Sequence, residues 1–443
     1  MHTLDQLRHG QLAGTQKLAI SSGLTTFPDE IFDLADSLEI LDLSNNQLRD
    51  LPDTLPRLHK LSILFLNHNA FETVPEVLAQ CPNLTMIGFK ANRLTTLPEQ
   101  ALPPQTRWLI LTDNQLTTLP QSIGSLKRLQ KLMLAGNQLQ TLPEEMAACL
   151  NLELVRLAAN QLGELPPWLL TLPRLAWLAY AGNPFCQSWS HPPRPTAPLP
   201  TLDWADLTPG AVLGEGASGV IAQGVWQTAR AKTEVAIKLF KGQITSDGYP
   251  EDEMRACLAA GTQANLISPI GQVVNHPDQK QGLVFPLIPS SYSTLGGPPS
   301  LDTCTRDTYP ATTRFTLPVV WRIATSLAAA AAHLHQRGIL HGDLYAHNTL
   351  VNPEGTALLG DFGAASFYPT HPQDLGAALE RIEVRAFGCL LEDLLDRCLE
   401  PGDDRQVALT QALRSLQQSC MKPTPQMRPL FGEILTRLQE LSP

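Results

Sequence analysis

The sequence predicts a multidomain chain in which an α/β solenoid of short repeats precedes an α+β domain. Three observations in the 443 residues support this prediction. Asparagine recurs at a nearly fixed spacing through the first half, and a proline-rich stretch follows at residues 184–200. The second half loses this period and carries a glycine-rich loop, an apolar strand ending in lysine, and a loop rich in His, Asp and Asn. A chain of this length has room for two or three domains, each with its own core.

The first half repeats one frame of leucines around an asparagine. The asparagines stand at positions 46, 69, 92, 114, 137, 160 and 183, so their spacing is 22 or 23 residues. In one copy, Leu41 and Leu43 lie on a short predicted strand before Asn46, and Leu48 and Leu51 follow in the turn behind it. This frame resembles the leucine-rich repeat family, whose period is about 20–29 residues.

The resemblance implies about eight stacked copies over residues 15–185, after an N-terminal tail at 1–14. The first copy is degenerate and has Gly23 at the asparagine position. No single copy can bury its leucines, so stacking of neighbours creates the core. The asparagine amides are expected to satisfy backbone groups inside the turns.

Side chains that alternate with the buried leucines are expected to line a concave face. The expected positions are Glu39, Ile40, Asp42, Ser62, Ile63, Phe65, Thr85, Met86, Gly88, Trp108, Ile110, Trp177 and Ala179. This mixture of polar and aromatic groups predicts a protein partner or substrate on the concave face. The alternative is a surface that only flanks the second domain.

Bulk properties narrow the class of partner and the compartment. The net charge of −10 argues against nucleic acid as the main partner. Eight cysteines without C-x-x-C spacing are typical of a reducing compartment. Neither a signal peptide nor an apolar run of about 18–20 residues is visible, which predicts no membrane span and a cytoplasmic location. Secretion as an effector stays open, because such signals can leave no mark in the sequence.

Four motifs follow one another in the second half. Residues 213–221 read L-G-E-G-A-S-G-V-I, and an apolar V-A-I-K strand ends at Lys238. H-G-D-L-Y-A-H-N covers residues 341–348, and D-F-G follows at 361–363. Glycines let backbone N–H groups approach phosphate oxygens. The aspartates of the last two motifs are carboxylates that can bind a metal ion or accept a proton. In this order the motifs resemble those of the protein-kinase family.

The resemblance implies a two-lobed α+β domain and a reaction. The domain would cover residues 206–443, with an N-lobe at 206–289 and a C-lobe at 290–443, after a proline-rich linker at 186–205. ATP with Mg²⁺, or alternatively Mn²⁺, is the implied cofactor pair. The implied reaction moves the ATP γ-phosphate to a protein hydroxyl, with serine or threonine expected rather than tyrosine.

The resemblance also assigns roles to individual residues. Asp343 is the implied catalytic base, and Asn348 and Asp361 are the implied metal ligands. Lys238 is expected to meet the α- and β-phosphates, paired with either Glu253 or Glu251. The remaining implied nucleotide contacts are Leu213, Gly214, Gly216, Gly219, Ile221, Ala236, Phe285 and Ile288.

Three departures from the kinase pattern bear on mechanism. Gly342 replaces an arginine that often pairs with a phosphorylated activation segment, and Tyr345 replaces a lysine. His347 is therefore predicted to supply a catalytic contact in the transition state. Nineteen residues separate Gly363 from Glu383, which predicts a shortened or absent peptide shelf.

Two further expectations concern the C-lobe, and two alternative functions stay open. Glu380 is expected to pair with Arg428, and residues 290–316 are expected to form a surface loop. One alternative is a pseudokinase scaffold in which the repeats mediate protein–protein interaction. The other is a kinase-fold enzyme that phosphorylates a small molecule.

Overall fold

The structure is a computed structural model that describes residues 2–189, 199–216, 218–242, 244–370 and 373–441. It divides into two compact units, Met1–Leu172 and Pro173–Pro443. The boundary therefore falls before the last copy of the repeat frame, whereas the sequence predicts it after residue 185. The predicted linker at 186–205 lies partly outside the described residues, at positions 190–198.

Unit 1 alternates short strands with 3-10 turns. Its helix and strands are α1 (Leu4–Arg8), β1 (Lys17–Ala19), β2 (Ile40–Asp42), β3 (Ile63–Phe65), β4 (Met86–Gly88), β5 (Trp108–Ile110), β6 (Lys131–Met133) and β7 (Leu154–Arg156). Its 3-10 turns are Asp29–Leu34, Leu55–Arg57, Glu76–Gln80, Gln121–Ser125, Glu144–Ala148 and Pro167–Thr171. Each strand pairs in parallel with the next, and Leu18, Leu41 and Leu64 occupy equivalent buried central positions. The prediction of a leucine-rich-repeat solenoid is confirmed.

The repeated asparagines satisfy the backbone inside unit 1. Asn46 donates from Nδ2 to the carbonyls of Ile20 and Leu43, each at 2.9 Å, and its Oδ1 accepts the Leu24 N–H at 2.9 Å. The residue before the asparagine has a left-handed backbone, with φ of 59° at Asn45. The asparagine side chain thus satisfies buried backbone groups of its own copy and of the previous copy.

The predicted N-terminal tail contains helix α1. Thr3 and Gln6 form a reciprocal capping box, and Leu7 is buried. The His2 N–H donates to the Ala19 carbonyl at 2.8 Å, which ties this segment to the first strand.

Unit 2 begins with the last copy of the repeat frame and continues into a two-lobed domain. Its N-terminal elements are β8 (Trp177–Ala179), α2 (Pro184–Trp189), β9 (Thr201–Asp203), β10 (Leu207–Glu215), β11 (Gly219–Gln227), β12 (Lys232–Phe240), α3 (Pro250–Ala260), β13 (Gly271–Val274) and β14 (Gly282–Pro286). The remaining elements are β15 (Ser293–Thr294), α4 (Leu317–Gln336), β16 (Ile339–Leu340), β17 (Thr349–Val351), β18 (Ala357–Leu359), β19 (Ser366–Phe367), α5 (Gln373–Leu395), α6 (Asp404–Cys420) and α7 (Phe431–Glu440). Three-residue 3-10 turns occur at Trp204–Asp206, Ala346–Asn348 and Pro425–Met427.

The N-lobe is a sheet with strand order β10-β11-β12-β14-β13-β9. Strand β9 comes from the end of the predicted linker, pairs in parallel with β13 and forms the edge of the sheet. Leu202 of β9 packs with Val235, Ile237 and Val284 in the core of this sheet. Residues 201–203 are therefore part of the N-lobe and not a spacer, because the edge of β13 offers free backbone groups and Leu202 gains burial there.

The C-lobe is built around helix α4, which packs against α5, α7 and β18. Its apolar positions Val320, Ile323 and Leu327 are fully buried. Among the described residues, α4 is the one helix long and apolar enough to cross a membrane by length and composition. About half of its most apolar window is buried inside the structure, as in the core helix of a globular domain.

Residues 290–316 are more than a surface loop, so that expectation is wrong. Strand β15 pairs with β17, and Cys304 and Thr305 are buried. Arg306 forms ion pairs with Glu392 at 2.8 Å and Asp393 at 2.7 Å on α5. These charged contacts hold the segment against the C-lobe, and its polar composition hides that role in the sequence.

The segment after D-F-G is short. Strand β19 pairs with β16 directly after this motif, and α5 begins at Gln373. Glu380 lies within α5 and accepts the Phe431 N–H at 2.7 Å. Both Glu380 and Arg428 lie within the described residues, and the ion pair predicted between them does not form. Instead, the Arg428 guanidinium donates to three backbone carbonyls, those of Lys422, Arg381 and Pro173.

Candidate active site

A cavity of about 910 Å³ in unit 2 brings together residues from both lobes. Seven predicted site residues line it: Leu213, Ile221, Lys238, Glu253, Phe285, Ile288 and Asp361. Lining residues not identified from the sequence include Cys257, Ile267, Leu287 and Leu350. Leu287 could have been found, because it lies between the predicted site residues Phe285 and Ile288. No motif marks Cys257, Ile267 or Leu350.

Lys238 and Glu253 form a hydrogen-bonded ion pair at the back of this cavity. Glu253 is 2% exposed, whereas Glu251 lies on the exposed side of α3, so the structure selects Glu253 as the partner. Burial opposes the charge on Lys238, but the nearby carboxylates of Glu253 and Asp361 outweigh it and raise the pKa of the amine. The lysine is therefore held as a cation that faces the cavity.

The predicted contacts Gly214, Gly216, Gly219 and Ala236 do not line the cavity directly. A Cβ atom at Gly214 or Gly216 would meet nothing within 4 Å, which leaves open space on that side of the loop. At Gly219 a Cβ atom would lie 2.5 Å from the Leu239 carbonyl oxygen, so only glycine fits the close strand contact. Ala236 lies opposite Phe285 in the register of β12 and β14.

The loop at residues 341–348, called here the catalytic loop, is fixed by its own hydrogen bonds. The Asn348 Nδ2 donates to the Asp343 carbonyl at 3.0 Å and to Asp343 Oδ2 at 2.8 Å. The Asp343 N–H donates to His341 Nδ1 at 3.3 Å, and His341 Nε2 lies 2.9 Å from the Gly360 carbonyl oxygen. His341 is fully buried and acts here as a support for the loop.

Glu383 on α5 binds the backbone at the start of the catalytic loop. Its carboxylate accepts the Gly342 N–H at 2.7 Å and the His341 N–H at 3.3 Å, and it pairs with His335 at 2.8 Å. Burial opposes ionisation of Glu383, but the hydrogen bond from His335 and the neighbouring charges lower the pKa of this carboxyl. A buried carboxylate with so many donors fixes the loop in one conformation.

Asp307 is a site residue that sequence reasoning missed. Its Oδ1 lies 2.6 Å from His347 Nδ1, and its Oδ2 accepts the Ala346 N–H at 2.6 Å. Burial opposes the charge on His347, yet the hydrogen bond to Asp307 and the field of Asp343 raise the pKa of the imidazole. Asp307 lies forty residues before His347 in a segment without a motif, so no local signal marks it.

Asn348 and Asp361 suit a divalent metal ion that also binds phosphate. Asp361 is exposed and has a left-handed backbone with φ of 56°, and its Oδ1 accepts the Gly363 N–H at 3.1 Å. Both side chains offer hard oxygen donors, and Mg²⁺ commonly takes one or two protein ligands and completes its shell with phosphate and water. No cluster of three or more His, Cys, Asp or Glu that could hold a metal occurs within the described residues.

Comparison with known families agrees with both halves of the chain. Residues 16–71, 36–94 and 104–184 match the family described as leucine rich repeat. Residues 207–384 match the family described as protein tyrosine and serine/threonine kinase. The chain combines leucine-rich repeats with a protein-kinase domain. The kinase family uses ATP and a divalent metal ion, which agrees with the cavity and the donors described above.

Individual relatives match only part of this chain. Activated Cdc42 kinase Ack of Drosophila melanogaster is 29% identical over 170 residues, which is 37% of this chain and 14% of the relative. A probable cyclin-dependent serine/threonine-protein kinase of Dictyostelium discoideum is 26% identical over 243 residues, 50% of this chain and 35% of the relative. A serine/threonine-protein kinase of Saccharomyces cerevisiae is 36% identical over 59 residues, 13% of this chain and 9% of the relative. The chain thus spans well under two thirds of the length of each relative.

Proposed function

We propose that this protein is an active, ATP-dependent protein kinase whose repeats recognise its partner or substrate. The observation that carries the proposal is the Lys238–Glu253 ion pair, which shares one cavity with Asp361. In kinases this pair and the metal-binding aspartate must be in place together for phosphoryl transfer. A chain that only used the fold as a scaffold has no need to keep a buried ion pair aimed at an open cavity.

The residues divide the work of phosphoryl transfer. Lys238 neutralises the α- and β-phosphates, and the hairpin glycines let backbone N–H groups approach the phosphates. Asn348 and Asp361 would hold Mg²⁺, or Mn²⁺ in its place, and the bound ion supplies charge neutralisation at the phosphates. Asp343 receives the proton of the acceptor hydroxyl, while Asn348 orients its carboxylate. Phosphoryl transfer depends mainly on such positioning and charge stabilisation.

His347 is proposed to contact the transferring phosphoryl group. It stands four residues after Asp343, and its Nδ1 is bonded to Asp307. The acceptor is proposed to be serine or threonine, because two of the three relatives above are named serine/threonine-protein kinases. The concave strand positions of unit 1 are the proposed partner surface, and the cytoplasm is the proposed location.

Transfer of labelled phosphate from Mg-ATP tests the proposal. We expect wild-type protein to label itself or an added protein mixture, and Asp343→Ala to reduce the rate by about 100-fold or more. Nucleotide binding of the Asp343→Ala variant should stay within about twofold of wild type, since Asp343 does not line the cavity. Asp278→Ala is a matched control, because Asp278 is an exposed carboxylate at the surface of the N-lobe.

Each other outcome identifies one of the alternatives. Wild-type protein that binds Mg-ATP but transfers no more phosphate than Asp343→Ala is a pseudokinase scaffold. Transfer to small hydroxyl compounds without labelled protein identifies a small-molecule kinase, which the short segment after D-F-G favours. Mass spectrometry of labelled protein then determines whether serine, threonine or tyrosine is the acceptor.

A further inference from the structure

The last copy of the repeat frame contacts the catalytic loop directly. We call residues 173–185 the terminal repeat; they belong to unit 2 together with the kinase domain. Trp177 was expected on an exposed concave face, but it is 2% exposed, and Ala179 is fully buried. The Trp177 ring stacks on Tyr345 with centroids 4.5 Å apart and planes 5° apart. Its Nε1–H donates to the Leu344 carbonyl at 3.2 Å.

Tyr180 extends this contact to the strand after D-F-G. Its backbone N–H donates to Ser366 Oγ at 3.0 Å, and its hydroxyl donates to the Phe367 carbonyl at 3.3 Å. Both partners lie on β19, which pairs with the strand that leads into the catalytic loop. The terminal repeat thus touches both segments that carry the catalytic and metal-binding aspartates.

Two buried arginines fix the start of the terminal repeat. Arg428 donates to the Pro173 carbonyl at 2.7 Å, and Arg385 on α5 donates to the Arg174 carbonyl at 3.0 Å. Both arginine residues are more than nine-tenths buried. Charge-assisted hydrogen bonds of this kind are stronger than neutral ones, so the register of the terminal repeat on α5 is well defined.

The contact explains two departures from the kinase pattern. Gly342 has φ of 74°, and a Cβ atom there would lie 2.6 Å from the Leu178 carbonyl oxygen, so the terminal repeat leaves no room for arginine. Tyr345 supplies the flat ring on which Trp177 stacks, and its other neighbour is His347, at a centroid distance of 4.8 Å. Gly342 and Tyr345, the two departures from the kinase pattern, therefore both fit the contact with the terminal repeat.

We propose that Trp177 is a positioning residue of the kinase reaction and that the terminal repeat is a structural part of the catalytic unit. This inference rests on the proposed function for its kinetic consequence, but not for its structural one. Trp177 acts through Tyr345, which packs against His347, while Asp307 accepts the Ala346 N–H and bonds to the His347 ring. The catalytic loop therefore contacts both the terminal repeat and the segment at 290–316.

Full-length variants of Trp177 test the inference. Trp177→Phe keeps an aromatic ring for stacking, whereas Trp177→Leu keeps a bulky apolar group without the ring. We expect amide hydrogen exchange in residues 339–351 to rise about tenfold in Trp177→Leu and to stay near wild type in Trp177→Phe. Exchange in the β10–β11 hairpin should not change in either variant. Trp168→Leu, a buried tryptophan substitution in unit 1, is the matched control.

Kinetics separate positioning from general loss of structure. In Trp177→Leu we expect kcat to fall by about 10- to 100-fold while KM for ATP stays within about twofold, since a misplaced loop slows transfer without weakening nucleotide contacts. Loop exchange that is unchanged in Trp177→Leu, or that rises equally in Trp168→Leu, overturns the inference. If wild-type protein transfers no phosphate, the proposed function fails, whereas the exchange measurement still decides the inference. If Trp177→Leu does not fold, the same exchange measurement on Tyr345→Leu tests the inference, because Tyr345 is the other ring of the stack.

Discussion

At the scale of single residues, the site depends on close approaches that leave little freedom for substitution. Gly342 combines a left-handed backbone with two carbonyl oxygens, of Leu178 and Ala364, within 2.7 Å of where a Cβ atom would lie. Glu383 donates no proton itself but accepts two backbone N–H groups of the catalytic loop and pairs with His335. Both residues act by fixing the backbone next to Asp343.

Gly342→Ala should be more destabilising than its backbone angle alone explains. Gly242 has nearly the same φ, 73°, but nothing lies within 4 Å of its Cβ position, so Gly242→Ala measures the cost of the angle alone. We expect Gly242→Ala to lower the free energy of unfolding by about 1 kcal/mol and Gly342→Ala to lower it by a further 1–3 kcal/mol. Urea unfolding of both variants measures the difference. Equal losses would show that the Leu178 and Ala364 carbonyls move away from the added methyl group at no cost in free energy.

Glu383→Gln should change how stability depends on pH. The pKa of Glu383 is lowered in the folded protein from its ordinary value of 4.5, so its contribution is present above pH 4.5 and is lost as pH falls through the lower folded value. At pH 7 we expect Glu383→Gln to reduce the free energy of unfolding by about 1–3 kcal/mol.

Urea unfolding of wild type and Glu383→Gln from pH 7 to pH 3 checks this dependence. The difference between the two proteins should shrink below pH 4.5, where the carboxyl of the unfolded chain binds a proton while that of the folded protein, with its lowered pKa, is still ionised. A difference that is constant over the whole range contradicts the assignment of the ionised form to Glu383.

At the scale of elements, the repeats and the segment after D-F-G follow different rules. Each repeat is stabilised by an asparagine that serves its own turn and the previous copy. The segment between Gly363 and α5 is instead fixed by long-range contacts with β16 and with the terminal repeat. Periodic contacts can be read from spacing, whereas these long-range contacts cannot.

Asn137→Ala should destabilise unit 1 strongly, although it removes only a few atoms. Asn137 Nδ2 donates to the carbonyls of Leu111 and Leu134, and its Oδ1 accepts the Leu116 N–H, all in buried surroundings. Three backbone groups lose their partners, so we expect a loss of about 2–4 kcal/mol. The neighbouring Gln138 is exposed, and Gln138→Ala should change stability by less than about 0.5 kcal/mol. Similar losses in both variants would contradict a structural role for the asparagines.

Thr370→Ala should leave kinase activity intact. Of the three hydroxyl side chains between Gly363 and α5, Ser366 and Tyr368 are buried, and Thr370 is exposed. Since Gly342 cannot pair with a phosphate there, we expect the kcat of Thr370→Ala to stay within about twofold of wild type. Phosphatase-treated wild type should behave in the same way. A loss of tenfold or more in both samples would show that phosphorylation of this segment controls the loop.

At the scale of the whole molecule, the boundary between the two compact units differs from the boundary between the two sequence families. The leucine rich repeat match extends to residue 184, but the second unit already begins at Pro173. Unit 2 therefore includes both the terminal repeat, which contacts the catalytic loop, and strand β9 at the edge of the N-lobe sheet.

A fragment of residues 173–443 should fold better than one of residues 206–443. The shorter fragment lacks Trp177 and Leu202, which are both buried in unit 2. Loss of two such side chains predicts a reduction of about 4 kcal/mol or more in the free energy of unfolding, enough to unfold many domains. Chemical unfolding of both fragments, with and without Mg-ATP, tests this. Equal stability of the two fragments would contradict the proposed extent of the catalytic unit.

Much of the fold and about half of the nucleotide site could be predicted from the sequence. The repeat strands follow a fixed period, and Lys238, Asp343, Asn348 and Asp361 stand in motifs that depend on local backbone geometry. Asp307 and the stacking of Trp177 could not be predicted, because each joins segments far apart in the chain with no spacing rule. The same limit explains the misassigned pair of Glu380 and Arg428, since the carbonyl of Pro173 competes for that guanidinium.

The burial of Trp177 also limits which repeats of such a protein can change to bind new partners. A copy of the repeat within unit 1 can exchange its outward side chains for a new partner, or be duplicated as a 23-residue block, without changing the contacts of the terminal repeat with the catalytic loop. The terminal repeat has no such freedom, because its aromatic side chains already have a partner within their own chain. Recombination of binding specificities, in nature or in the laboratory, therefore has its natural crossover point just before Pro173.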